Sequence, residues 1–187
     1  ADAYGHGAIK VAKALGNLVD AYGVAIIEEA IELRQAGLEK MILILGYTGE
    51  ERYEELVQYN ISQTVYEYAM AKKLSDIAMK MGKKARVHIK VDTGMGRIGF
   101  APTQESAKEV KKISELPGIE IEGCFTHFAR ADETTIEPAR EPFLKYMQFV
   151  DMLESKGIQI PIKHVCNSAS IIGFSEANLD MVRSGIT

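Results

Sequence analysis

Two hydrophobic periods take turns along this chain: short apolar runs with strand character, and longer segments whose apolar residues recur at helical spacing. AIKVAKAL at 8–15 predicts a helix, GVAII at 23–27 a strand, and EEAIELRQAG at 28–37 a helix that stops on a glycine. MILIL at 41–45 is the next strand. Thr48 and Glu51 have the spacing of a capping box for a helix running to about Gln58. ISQTVY at 61–66 predicts a strand, and Leu74, Ile77, Ala78 and Met81 share one face of a helix. RVHIKVD at 86–92, IEIEGCFTHF at 119–128, IKHVCN at 162–167 and MVRSGI at 181–186 complete the strands. Between them, Ala107, Val110, Ile113 and Leu116 mark one helix, Phe143, Met147, Val150 and Leu153 a longer one, and SASIIGF starts a short one. The methionines at 79, 81, 147 and 152 read as packing between helices and strands, and KEVKKISE at 108–115 as a solvated helix face.

Strict alternation of strand and helix implies parallel strands joined by crossover helices. The pattern holds seven strand-like runs and begins with a helix, which implies a strand ahead of it. Eight strands close a TIM barrel. The expected fold is therefore α/β, a TIM (β/α)8 barrel lacking its first strand, with residues 1–187 as one domain. An open doubly wound sheet is the competing architecture.

Composition narrows the partners. The 187 residues are 47% hydrophobic and 26% charged, with a net charge of −4. That balance suits a globular domain and offers no basic face for nucleic acid. Two cysteines, Cys124 and Cys166, are too few for a disulfide framework and fit a reducing, cytoplasmic setting. No apolar run is long enough to span a membrane, and no signal-peptide pattern opens the chain. A region ahead of Ala1 is the place to look for one.

In a TIM barrel, chemistry collects at the carboxyl ends of the strands. In chain order those ends hold ADAYGHG at 1–7, TGMGRIGF with Arg97, then His127, then Asn167 and Ser168, then Arg183 followed by Gly185 and Ile186. Polar residues thus cluster where this fold builds its site. Ser168 opens a helix after the seventh strand, and Gly185 and Ile186 close the eighth. Such barrels often bind phosphate between those two loops. A phosphorylated ligand, and a plain helix cap beside a turn glycine, both agree with these residues.

The segments ADAYGHG, HIKVDTGMGRIGF, FTHF, HVCNSAS and MVRSGI, in this order, resemble the N-terminal barrel of the bacterial alanine racemase family over essentially the whole chain. The resemblance implies an isomerase that uses pyridoxal 5′-phosphate to interconvert L- and D-alanine by two-base proton transfer at Cα, supplying D-alanine for peptidoglycan precursors. In the family, a lysine carrying the cofactor stands immediately before the first motif. A β-domain follows the barrel, and a tyrosine of the partner subunit completes the site. The implied partners are a small amino-acid substrate and a second copy sharing the active site in a homodimer. Neither nucleic acid, metal nor membrane is an implied partner of this segment.

By the same resemblance, Tyr4, Ser168, Gly185 and Ile186 contact the cofactor phosphate, the last two through backbone N–H groups, and Asn167 supports that loop. Arg183 faces the pyridine nitrogen, His127 packs on the ring and supports Arg183, and His164 stands behind Arg183. Arg97 and His127 are the catalytic candidates. Arg97 is placed near the phenolic oxygen and the substrate carboxylate, which a bidentate guanidinium suits. Lys90 matches a lysine that many members carry carbamylated, as an anion orienting Arg97; unmodified, it would set like charges together. Arg183 is donor-only and stays charged, so the ring nitrogen it faces stays unprotonated. The cofactor is then a weaker electron sink, which suits racemisation without side reactions. His6 reads as a buttress of the first turn.

Two residues depart from the family pattern. Ser184 replaces the usual proline between Arg183 and Gly185, freeing φ and adding an N–H. Arg130 stands near the site mouth, where a small polar residue is common. Both keep open a serine racemase of the same fold, some of which are tethered to a membrane module. A barrel-type decarboxylase of basic amino acids would place an acid against the ring nitrogen. A non-catalytic pyridoxal-phosphate-binding barrel would need no second domain. These remain the alternatives.

Overall fold

The computed structural model describes residues 2–133 and 135–185. Its strands are β1 (Ala21–Val24), β2 (Met41–Ile44), β3 (Ser62–Val65), β4 (Ala85–Lys90), β5 (Ile119–Phe125) and β6 (Ile162–His164). The helices are α1 (Ala8–Leu15), α2 (Ile27–Gln35), α3 (Tyr53–Gln58), α4 (Tyr68–Lys80), α5 (Gln104–Ser114), α6 (Glu137–Glu154) and α7 (Ser168–Gly173). The strands form one sheet in chain order, β1-β2-β3-β4-β5-β6. The pairs β1–β2, β2–β3 and β5–β6 are parallel. The α/β class and the strand order of a (β/α)8 barrel are therefore present, with six strands among the described residues.

The residues group into two compact units. One holds Ala1–Thr64, Lys73–Val87 and Pro117–Glu120, the other Val65–Lys72, His88–Leu116 and Ile121–Thr187. In the first, Ile42, Leu43 and Ile44 of β2 are buried with Ala30 and Leu33 of α2 and Tyr53, Leu56 and Val57 of α3. Arg34 ties the loops together: its guanidinium donates to the carbonyls of Tyr59, Leu38, Lys40 and Asn60 at 2.7–3.0 Å. β3 is buried although three of its four residues, Ser62, Gln63 and Thr64, are polar. Gln63 Nε2 donates to Gly46 O and Thr64 O, and Thr64 Oγ1 to Ile44 O, so the buried groups are partnered. In the second unit, Phe149, Val150 and Leu153 of α6 are buried with Cys124 and Phe125 of β5, and Tyr146 Oη donates to Cys124 O at 2.7 Å.

Four expectations change. Thr48 caps no helix; its hydroxyl donates to Gln63 Oε1 at 2.7 Å, and a short 3-10 turn at Glu50–Arg52 leads into α3 instead. The stretch 181–185 is not a strand. Among the described residues, two backbone bonds join this neighbourhood to the β6 region, Asp180 N to Lys163 O and Arg183 N to Cys166 O, too few for a ladder. Met79 is half exposed at 51% rather than packed. His6 is exposed, and the first turn is held by Asp2, whose Oδ1 accepts from Ala8 N at 2.7 Å.

Candidate active site

The second unit carries most of the residues singled out above, and the loop after β4 shows why the sequence folds there as it does. Asp92 Oδ1 accepts the N–H groups of Gly94 and Gly96, both at 3.0 Å. The chain then returns on itself, with Phe100 N donating to Lys90 O at 2.8 Å and Asp92 N to Phe100 O at 2.9 Å. Gly99 closes the turn at φ +137°, where a Cβ would stand 2.6 Å from Asp92 N. Arg97 is exposed on this loop.

Lys90, at the end of β4, is 2% exposed and donates from Nζ to Val91 O at 2.7 Å. Burial is the main influence on its amine, lowering its pKa from 10.5 to about 8; Arg183 and Arg97 push the same way and Asp92 opposes them. His127 follows β5 and is half-buried. Desolvation, then the charges of Arg183, Arg97 and Lys90, lower its pKa to about 4, so the ring is neutral at pH 7. Lys90, Arg97, His127 and Arg183 thus share one electrostatic neighbourhood. Beside it lies a cleft of about 100 Å³ lined by Thr93, Met95, His127 and Arg130 among others. Arg130, at that cleft, is ion-paired with Glu133.

Arg183 is held on three sides. Its Nη1 donates to His164 Nδ1 at 2.7 Å, and its Nη2 to Thr126 O at 2.8 Å and Val165 O at 3.0 Å. The guanidinium carbon lies 5.3 Å from the centroid of the Phe125 ring, which stacks at 4.7 Å on His164. Burial lowers the Arg183 pKa to about 10, which leaves it charged at pH 7. Among the described residues no carboxylate pairs with it.

Ser168 and Gly185 meet: Gly185 N donates to Ser168 Oγ at 2.9 Å, and the Ser168 hydroxyl hydrogen has no acceptor among the described residues. Asn167 is the N-cap of α7, in a reciprocal capping box with Ser170. Its Nδ2 lies 3.4 Å from Phe128 O. Ile186 lies outside the described residues. Tyr4, in the first unit, is 61% exposed, on a left-handed turn that includes Asp2, Ala3 and Tyr4 at φ 51–57°.

His88 and Glu122 were not singled out by the sequence reading. His88 Nδ1 lies 2.9 Å from His164 Nε2, and its Nε2 lies 3.3 Å from Glu122 Oε2. A signal existed for His88, which stands two residues before Lys90 in an apolar strand and so on the same face.

The family described as alanine racemase, N-terminal domain, matches residues 1–187. The chain belongs to this family. An alanine racemase of Clostridium perfringens is 50% identical over 187 residues, spanning all of this chain and 48% of its own length. That of Clostridium tetani is 47% identical with the same coverage. The solved alanine racemase of Clostridium difficile 630 in complex with cycloserine superposes with a TM-score of 0.97 at 47% identity, over 99% of this chain and 51% of that one. That of Bacillus anthracis with bound L-Ala-P gives 0.89 at 31% identity, over 99% of this chain and 48% of that one. The chain spans about half the length of the curated racemases it matches. Among the described residues no helix is long and apolar enough to cross a membrane.

Proposed function

We propose that residues 1–187 form the cofactor-binding domain, a partial TIM barrel, of a pyridoxal 5′-phosphate-dependent amino-acid racemase. Its substrate is alanine and its action two-base proton transfer at Cα. The observation that carries this reading is Arg183: a charged guanidinium held by a neutral histidine and two carbonyls, with no acid beside it among the described residues. A decarboxylase of the barrel type would be expected to put an acid there.

The residues present suit the cofactor's chemistry. An aromatic nitrogen needs a donor, which Arg183 is; a phosphate needs donors, which the Ser168 hydroxyl and Gly185 N–H are. Tyr4 and Ile186 keep their phosphate assignment on the motif alone, and Asn167 supports the loop as its cap. When bound, pyridoxal 5′-phosphate supplies an electron-withdrawing ring conjugated to the substrate's α-carbon, lowering the cost of removing its proton. Arg183 keeps its own proton, since even a pKa of about 10 leaves it charged at pH 7. His127, neutral, offers an uncharged face to the ring rather than a competing cation. Arg97, exposed and charged, binds the substrate carboxylate.

Lys90 is suited to carbamylation. With its pKa at about 8, an appreciable fraction of the amine is unprotonated at pH 7. Carbon dioxide adds to that Nζ, a proton is released, and the resulting carbamate anion relieves the repulsion from Arg97 and Arg183. The proton-transfer pair at Cα is assigned to no residue of this segment; the family resemblance gives those roles to a cofactor lysine and to a tyrosine of a partner copy, hence a homodimer.

The deciding experiment incubates the complete protein with L-alanine, and separately L-serine, in heavy water. Deuterium at Cα together with loss of optical rotation for L-alanine supports the reading. Faster exchange with L-serine would favour a serine racemase, and exchange with neither would refute racemisation.

A further inference from the structure

Behind Arg183 runs a line of polar groups that the proposed chemistry does not use. Arg183 Nη1 is 2.7 Å from His164 Nδ1, His164 Nε2 is 2.9 Å from His88 Nδ1, and His88 Nε2 is 3.3 Å from Glu122 Oε2. Both imidazoles are fully buried, and the Glu122 side chain is 16% exposed.

The direction of each bond follows from the two ends. A guanidinium only donates, so His164 Nδ1 accepts. A neutral imidazole holds one hydrogen, which places it on His164 Nε2 and makes His88 Nδ1 the next acceptor. His88 then carries its hydrogen on Nε2, facing a carboxylate that only accepts. A cationic His88 would donate from Nδ1 as well. His164 would then turn an N–H against the N–H of Arg183. Burial first, and then the charge of Arg183, hold the His164 pKa well below its ordinary value, which agrees with the neutral form.

The sheet makes room for this line. β4 and β6 both neighbour β5 and not each other, so the two histidines meet across β5. They do so at Gly123, where a Cβ would stand 2.5 Å from His88 Nδ1 and 2.6 Å from Ile162 O.

Resting on the reading of Arg183 as the group against the pyridine nitrogen, we propose that Glu122 is a positioning residue: through His88 and His164 it fixes the tautomers that hold the Arg183 guanidinium in place.

The test uses the complete protein with its cofactor, labelled with 15N at histidine. In the wild type, His88 and His164 are expected to give the nitrogen shifts of the neutral Nε2–H tautomer at pH 7. Glu122→Ala removes the terminal acceptor, so both histidines should move to averaged tautomer shifts. For alanine, kcat should fall about tenfold, at the lower end of what an outer hydrogen-bond partner contributes, with KM within about twofold. Glu122→Gln keeps an acceptor oxygen and should stay near wild type by both measures. A role of Glu122 confined to packing would leave the nitrogen shifts unmoved. Unmoved shifts in Glu122→Ala overturn the proposal, as does a cationic His88 or an Nδ1–H His164 in the wild type. The wild-type spectrum decides alone if the alanine variant does not fold. Fixed tautomers in a protein that racemises no amino acid would refute the functional reading and leave the tautomer assignment standing.

Discussion

Replacing Lys90 by Met should stabilise the protein at neutral pH. The amine is 2% exposed and donates to Val91 O, with no carboxylate bonded to it among the described residues. Its pKa falls from 10.5 to about 8, chiefly through burial. The unfolded chain therefore binds this proton more tightly than the folded one. Carrying the charged amine costs the fold about 3 kcal/mol at pH 7. That cost is full below about pH 8 and fades as pH rises toward about 10.5. Met keeps the length and drops the charge, losing one hydrogen bond to a backbone carbonyl worth about 1 kcal/mol. The net gain expected at pH 7 is about 2 kcal/mol, in buffer free of carbon dioxide so that the amine is unmodified. Urea unfolding of the complete protein, wild type and variant, at pH 7 and pH 10 reads this directly. Other groups titrate alike in both proteins and cancel in the difference. The wild type should close most of the gap between those pH values. Parallel pH profiles, or a variant less stable at pH 7, would refute the argument.

Three further outcomes follow from the same geometry. The folded-state pKa of His127 is lowered to about 4, so stability present above about pH 6.5 is lost as pH falls toward 4. Allowing for partial exposure this is worth about 2 kcal/mol, and His127→Phe should flatten that limb of the stability curve. An NMR titration of His127 moving near pH 6.5 would contradict it. Ser168→Ala removes the hydroxyl that meets Gly185 N–H. Pyridoxal 5′-phosphate should bind about tenfold more weakly by equilibrium dialysis, the loss of about 1.4 kcal/mol expected of one hydrogen bond to a charged group. Gly123→Ala drives a methyl against His88 and the Ile162 carbonyl. It should cost about 2 kcal/mol or more in chemical denaturation, and an unchanged midpoint would show that the histidine pair can shift aside.

Helix α1 matches the sequence expectation at both ends because its apolar face and terminal glycine are local signals. β1 is misplaced by two residues at its start because GVAII does not show which apolar residue pairs: Ala21 pairs with Met41, while Ile27 belongs to α2. MVRSGI has strand composition, yet a strand needs a ladder, and the two backbone bonds found for its described residues 181–185 and their neighbour Asp180 do not make one. Asn167 and Ser168 are legible as a cap beside a possible anion loop, since capping depends on neighbours in sequence.

The sequence by itself determined the alternation of strand and helix, and the motif residues that identify the family, because these depend on residue type and spacing along the chain. Only the tertiary structure decided that Lys90 is buried under like charges and that His88 meets His164. Those histidines lie 76 residues apart, and the strand between them lets them touch because Gly123 has no side chain. Burial and through-space contact set their hydrogen-bond partners, and neither can be read from chain neighbours.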